Sequence, residues 1–129
     1  MKVNIFLTGF AMFLSSLFSC QQKADYKSVS VEEFDTLIVD QNVQCVDVRT
    51  GAEYSEAHIP GSINLNVLDK SFVLMADSVL LKDKPVALYC RSGNRSKKAA
   101  AILSARGYTV YNLVKGFQSW VKEGKKTEK

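Results

Sequence analysis

The chain contains one histidine and three cysteines, with no Cys-x-x-Cys pair and no histidine–cysteine spacing suited to zinc. No metal site and no cofactor are expected. A basic, aromatic-rich stripe is missing too. The formal charge of +4 is a mild excess, and part of it lies in Lys125-Lys126-Thr127-Glu128-Lys129. Nucleic-acid binding is therefore not expected, and the tail reads as a solvated end. Internal repeats and low-complexity tracts are lacking inside the domain. What remains, 47% hydrophobic and 23% charged over 129 residues, is ordinary for one globular domain.

No apolar run reaches the roughly 20 residues that a membrane span needs. The longest, Ile5 to Phe18, follows Lys2 and closes on Leu17-Phe18-Ser19-Cys20. Its length and flanks predict a signal peptide. A small residue followed at once by cysteine resembles a bacterial lipoprotein cleavage box, in which Cys20 becomes the first mature residue and carries the lipid. Leu17 and Ser19 fit that box, and Phe18 is bulkier than its usual occupant. An uncleaved anchor or an ordinary secretory signal are the alternatives. The expected organisation is a signal peptide over 1–19, a tether over 20–26, one domain over 27–123 and a basic tail over 124–129. The expected location is the bacterial cell envelope, on the periplasmic side, anchored by the lipid on Cys20.

Within the domain, Ser30 and Glu33 form a capping-box signature, with Val29 and Phe34 placed as a hydrophobic staple. Phe34, Leu37 and Ile38 continue at helical spacing. Val43 to Val48 reads as a buried strand, Glu53 to Ala57 as one helical turn, and Ser62 to Leu65 as a short strand. Leu68, Phe72, Met75 and Val79 recur as one helical face. Pro85 to Tyr89 is a strand, Lys97 to Leu103 a helix stopped by Gly107, Tyr108 to Leu113 a strand. Phe117, Trp120 and Val121 mark a last helix. Strands alternating with helices predict an α/β domain whose central, mostly parallel sheet carries helices on both faces.

The most informative segment is Cys90-Arg91-Ser92-Gly93-Asn94-Arg95-Ser96. It sits between a strand and a helix, at the strand end where such sheets bind ligands. Backbone N–H groups of such a loop and the helix N-terminus make a positive pocket. A cysteine facing that pocket is held as thiolate, with a pKa lowered from about 8.5 to roughly 3.5–7.5. Taken alone, a cysteine after a strand is more often a small core residue. Arg91 and Arg95 would be costly beside an inert apolar thiol, and Gly93 suits a turn with unusual backbone angles. Cys90 is the candidate nucleophile. Cys45, in an apolar strand, is expected to be core, and in an oxidising compartment it could pair with Cys90.

Four motifs in order carry a family resemblance. They are Asp47-Val48-Arg49, Glu53-Tyr54 with His58-Ile59-Pro60-Gly61-Ser62-Ile63-Asn64, the Cys90 loop, and Gly107-Tyr108 with Leu113-Val114-Lys115-Gly116-Phe117 and Trp120. The chain resembles a single-domain rhodanese, a sulfurtransferase-like protein, over roughly residues 27 to 123. Ala57 stands where glycine is common, and Lys115 precedes a single glycine where a pair is frequent. The resemblance implies transfer of a sulfane sulfur from a small anionic donor such as thiosulfate, through a Cys90 persulfide, to cyanide or a thiol. It implies that N–H groups of residues 91 to 96 cradle the persulfide, with Arg91, Ser92, Gly93, Asn94, Arg95 and Ser96 forming the binding loop. Ser96 is placed to cap the following helix. Arg91 is placed to meet the donor. Arg95 either does the same or braces the loop against an acid such as Asp47. Asp47, Arg49 and His58 are supporting residues, and a monomer is expected.

Rivals remain open. Phosphatases on the same fold resemble Cys-x5-Arg, one residue longer than the Cys-x4-Arg of Cys90 to Arg95. Arsenate reduction also uses a cysteine loop. From another class, the domain could be a persulfide carrier or a partner-binding module without turnover.

Overall fold

A computed structural model describes residues 25–129. The expectations placed on residues 1–19 and on Cys20 lie outside the described residues. The chain begins with β1 (Lys27–Val29) and α1 (Val31–Val39). Ser30 caps that helix as its sequence requires: its hydroxyl accepts from the Glu33 N–H at 3.2 Å while Glu33 Oε1 accepts from the Ser30 N–H at 3.1 Å. There follow β2 (Gln44–Asp47), α2 (Gly51–Glu56), β3 (Ile63–Asn64), α3 (Phe72–Val79) and β4 (Val86–Tyr89). The last three are α4 (Asn94–Ala105), β5 (Val110–Leu113) and α5 (Gly116–Lys122).

The five strands form one parallel sheet in the order β1-β5-β4-β2-β3. β4 is central, with Leu88 opposite Val46 on β2 and opposite Asn112 on β5. Its four residues are all buried, which is why it reads as a continuous apolar run. Both faces are covered. On one, Val46, Val48, Val86, Leu88 and Val110 pack with Phe72 and Ala76 of α3 and Ala99, Ala100 and Leu103 of α4. On the other, Val29, Cys45, Ala87, Tyr89 and Leu113 pack with Phe34 of α1 and Trp120 of α5. The α/β architecture is therefore the one expected.

Three local expectations change. β1 is too short and too polar to show in the pattern; only Val29 of its three residues is buried, and it exists because β5 offers partners from Tyr111 to Leu113. The third helix starts at Phe72 and not near Leu68. The Asn66 and Asp69 side chains accept backbone N–H groups two residues on, at 3.0 and 2.8 Å, and hold the intervening chain in turns. Leu68 is left 61% exposed. The tail is exposed over 126–129, as expected of a solvated end, but it is not loose: Glu128 forms an isolated antiparallel bridge with His58.

The face below α1 and α5 depends on Phe34, which is fully buried and meets Tyr89 and Trp120 edge-on, each with ring centroids 6.1 Å apart. Phe34→Ala is expected to lower the unfolding free energy by about 3–5 kcal/mol. Urea titration measures this, and a loss under about 1 kcal/mol would show that this face does not hold the sheet together.

Candidate active site

β4 delivers Cys90 to the C-terminal end of the central strand. The chain then turns through Gly93, whose φ of 110° lies where side chains are disfavoured. A Cβ there would also collide with the Val114 carbonyl oxygen. α4 starts at once, with Gly93 as its cap residue. Ser96 is thus the third residue of the helix and makes no cap bond, contrary to expectation. Its hydroxyl donates to the Gly93 carbonyl at 3.1 Å and lies 3.4 Å from Cys90 Sγ.

The sulfur is enclosed. Cys90 is 1% exposed, and the Gly93 N–H donates to Sγ at 3.1 Å. Burial acts to push the thiol up. The Ser96 hydroxyl and the N–H groups of Ser96, Gly93 and Ser92 outweigh it and hold Cys90 below an ordinary thiol. Cys45 goes the other way: burial, then the Asp47 charge, push it far up. The two thiols are free and lie in the cores on opposite faces of the sheet, so the disulfide considered for them has no geometry in this fold.

The loop's outward carbonyls are met by α5. The N–H groups of Phe117 and Gln118 donate to the carbonyls of Cys90 and Arg91 at 2.8 and 3.0 Å. Gly116 permits this approach. Its φ is 69°, and a Cβ there would stand 2.7 Å from the Cys90 carbonyl oxygen. Neither Ala57 nor Lys115 needs to be glycine: their φ values are −171° and −108°.

Arg95 is a brace, and its partner is Glu53 rather than Asp47. The guanidinium donates to both carboxylate oxygens at 2.7 and 2.9 Å. Glu53 is in turn the third residue of a capping box with Thr50. The Arg95 bonds, with smaller help from Thr50, lower its pKa to about 2. The signature Thr50-x-x-Glu53 was there in the sequence, but nothing local links it to a loop 42 residues away. Asp47 instead holds Arg49, at 2.9 and 3.0 Å from Nε and 2.6 Å from Nη2. Arg49 also donates to the Ala57 carbonyl at 2.7 Å and lies 4.3 Å from the Phe117 ring centroid. His58 turns away from the sulfur: Nδ1 is 2.8 Å from the Tyr54 carbonyl oxygen and Nε2 is 3.3 Å from Glu128.

Arg91, Ser92 and Asn94 are exposed on the loop. Arg91 opens onto a cleft of about 440 Å³ that is also lined by Glu56, Phe117, Gln118 and Val121. A buried cysteine with inward N–H groups, next to an arginine exposed on a cleft, has the chemistry that an anion-binding nucleophile site needs.

Comparison with known proteins gives the family. The model of the rhodanese-like domain matches residues 30–123. The chain belongs to the rhodanese-like family. A sulfurtransferase of Allochromatium vinosum is 37% identical over 78% of this chain and 88% of its own. The thiosulfate sulfurtransferase GlpE of Shewanella oneidensis is 33% identical over 75% of this chain and 94% of its own. Among solved structures, a rhodanese-related protein of Thermoplasma volcanium superposes with a TM-score of 0.70 at 30% identity, covering 80% of this chain and 98% of that one.

In this rhodanese-like domain the Cys90 thiolate fraction grows as pH rises through the lowered pKa. Alkylation by iodoacetamide should therefore reach half its maximal rate below the ordinary thiol value of about 8.5. Ser96→Ala should move that midpoint upward. An unchanged midpoint in a folded variant would remove Ser96 from the account.

Proposed function

We propose that this protein is a sulfurtransferase that takes a sulfane sulfur from a small anionic donor such as thiosulfate and passes it to cyanide or a thiol. The observation that carries this is the Cys90 sulfur receiving the Gly93 N–H at 3.1 Å inside a closed loop. The thiolate attacks the outer sulfur of thiosulfate. A new S–S bond forms at Cys90, the donor's S–S bond breaks, and sulfite leaves with that electron pair. The persulfide anion stays under the loop's N–H groups. Cyanide or a thiolate then takes the outer sulfur, and the Cys90 thiolate returns. Arg91, exposed at the cleft, meets the donor's oxyanion.

A phosphatase reading is disfavoured by two features. The loop spans one residue fewer than Cys-x5-Arg, and Arg95 has both terminal nitrogens engaged by Glu53. A carrier without turnover remains the second reading, because the same loop would hold the persulfide. We place the protein in the bacterial cell envelope, exported by residues 1–19 and anchored by a lipid on Cys20. Support for that is the Ile5–Phe18 run and the Ser19-Cys20 junction. We expect it to act as a monomer with small-molecule donor and acceptor.

Thiosulfate should give a species heavier by one sulfur atom in the intact mass, lost on cyanide addition and absent in Cys90→Ser. A free thiol in a folded domain that gains no sulfur would take thiosulfate out of the mechanism. Arg91→Ala should raise KM for thiosulfate about ten-fold, the scale of one charge-assisted hydrogen bond. A KM unchanged in that variant would place the donor elsewhere.

A further inference from the structure

The last residues fold back over the turn that follows α2. Trp120 Nε1–H donates to the Lys126 carbonyl at 2.7 Å. Lys125 Nζ lies 2.9 Å from Asp35 and 3.3 Å from Glu32, both on α1. Glu128 and His58 exchange two backbone hydrogen bonds, each 2.9 Å. The Glu128 carboxylate is 3.3 Å from His58 Nε2 and accepts from the Gly61 N–H at 3.4 Å. His58 itself is buried and stacks flat on Tyr54, with ring centroids 3.7 Å apart. The two groups facing its ring nitrogens are the Tyr54 carbonyl and the Glu128 carboxylate.

That turn belongs to the site. Tyr54 adjoins Glu53, whose carboxylate grips Arg95 on the Cys90 loop. Ala57, just before His58, accepts from Arg49. A short helix with no buried residue of its own is thus fixed by what borders it: the Arg95 pair on one side, the His58–Glu128 contact on the other. A merely solvated tail would have none of these bonds.

We propose that Lys125–Glu128 is a strap that positions α2, with Glu128 acting as a positioning residue through His58 and Tyr54 on the Glu53–Arg95 pair beside Cys90. The inference rests on Cys90 being the nucleophile and does not depend on which donor it uses. Glu128 touches no reacting atom. Its role is to keep the Glu53–Arg95 pair in place at the start of α4, next to the Cys90 loop.

The test compares the full chain, the chain ended after Gly124, and Glu128→Ala in the full chain. Four quantities are read: the urea midpoint, the iodoacetamide alkylation rate of Cys90 across pH, and KM and kcat for thiosulfate with cyanide. Truncation should slow alkylation at neutral pH at least about five-fold and raise KM by a similar factor, the low end of coupling between sites. The same change should leave kcat within about two-fold. Glu128→Ala, which keeps the backbone bridge, should shift both quantities in the same direction by less. It also decides the matter if the truncated chain does not fold. A lower urea midpoint with the original alkylation profile and KM would make the strap purely structural and overturn the proposal. If the unaltered chain turns over no thiosulfate, the sulfurtransferase reading fails, while alkylation still decides the strap.

Discussion

Everything at the site depends on how the backbone of one loop is satisfied. Between β4 and α4 the chain turns its N–H groups inward on Cys90 and its carbonyls outward. Inward, the Gly93 N–H reaches the sulfur at 3.1 Å. Outward, the carbonyls of Cys90 and Arg91 accept from the first turn of α5 at 2.8 and 3.0 Å. A helix N-terminus has donors without internal partners, and a tight loop has carbonyls without a ladder. Each supplies what the other lacks. Gly93 and Gly116 are fixed by that exchange, since a Cβ at either meets a carbonyl of the neighbouring segment.

Charge pairs form a second frame around this exchange. Asp47 holds Arg49 in the buried interior, and Glu53 holds Arg95 at its margin. The two pairs fix different things. Arg49 ties the end of β2 to the residue after α2, whereas Arg95 ties α2 to the reactive loop. Removing one member of the buried pair would leave the other uncompensated, on the order of 3–5 kcal/mol. Among the described residues that line the cleft, Arg91 is the exposed cation outside these two pairs.

Local chemistry made much of this legible, and distance concealed the rest. The Ser30–Glu33 capping box forms as written, because both partners lie within one turn. The run before Cys90 announces a buried central strand, and the loop composition singles out Cys90 as the candidate nucleophile. Leu68 misled because spacing alone ignores the Asx turns at Asn66 and Asp69. Arg95 stayed ambiguous between substrate and brace, since its carboxylate partner arrives from another element. Gly116 was visible only as part of a motif; its use appears when α5 crosses the loop. The tail looked solvated because its sequence is polar, yet its bonds to His58 run mainly through backbone atoms that no side-chain pattern reports.

The central claim is that backbone N–H groups hold the Cys90 thiolate. An NMR pH titration following the Gly93 amide and the Cys90 Cβ together addresses it most directly. The account expects both to titrate with one midpoint, below the ordinary thiol value of about 8.5, and the Gly93 amide shift to vanish in Cys90→Ser. A Gly93 amide that stays put while Cys90 titrates would contradict it, because the loop would then enclose the sulfur without stabilising its charge.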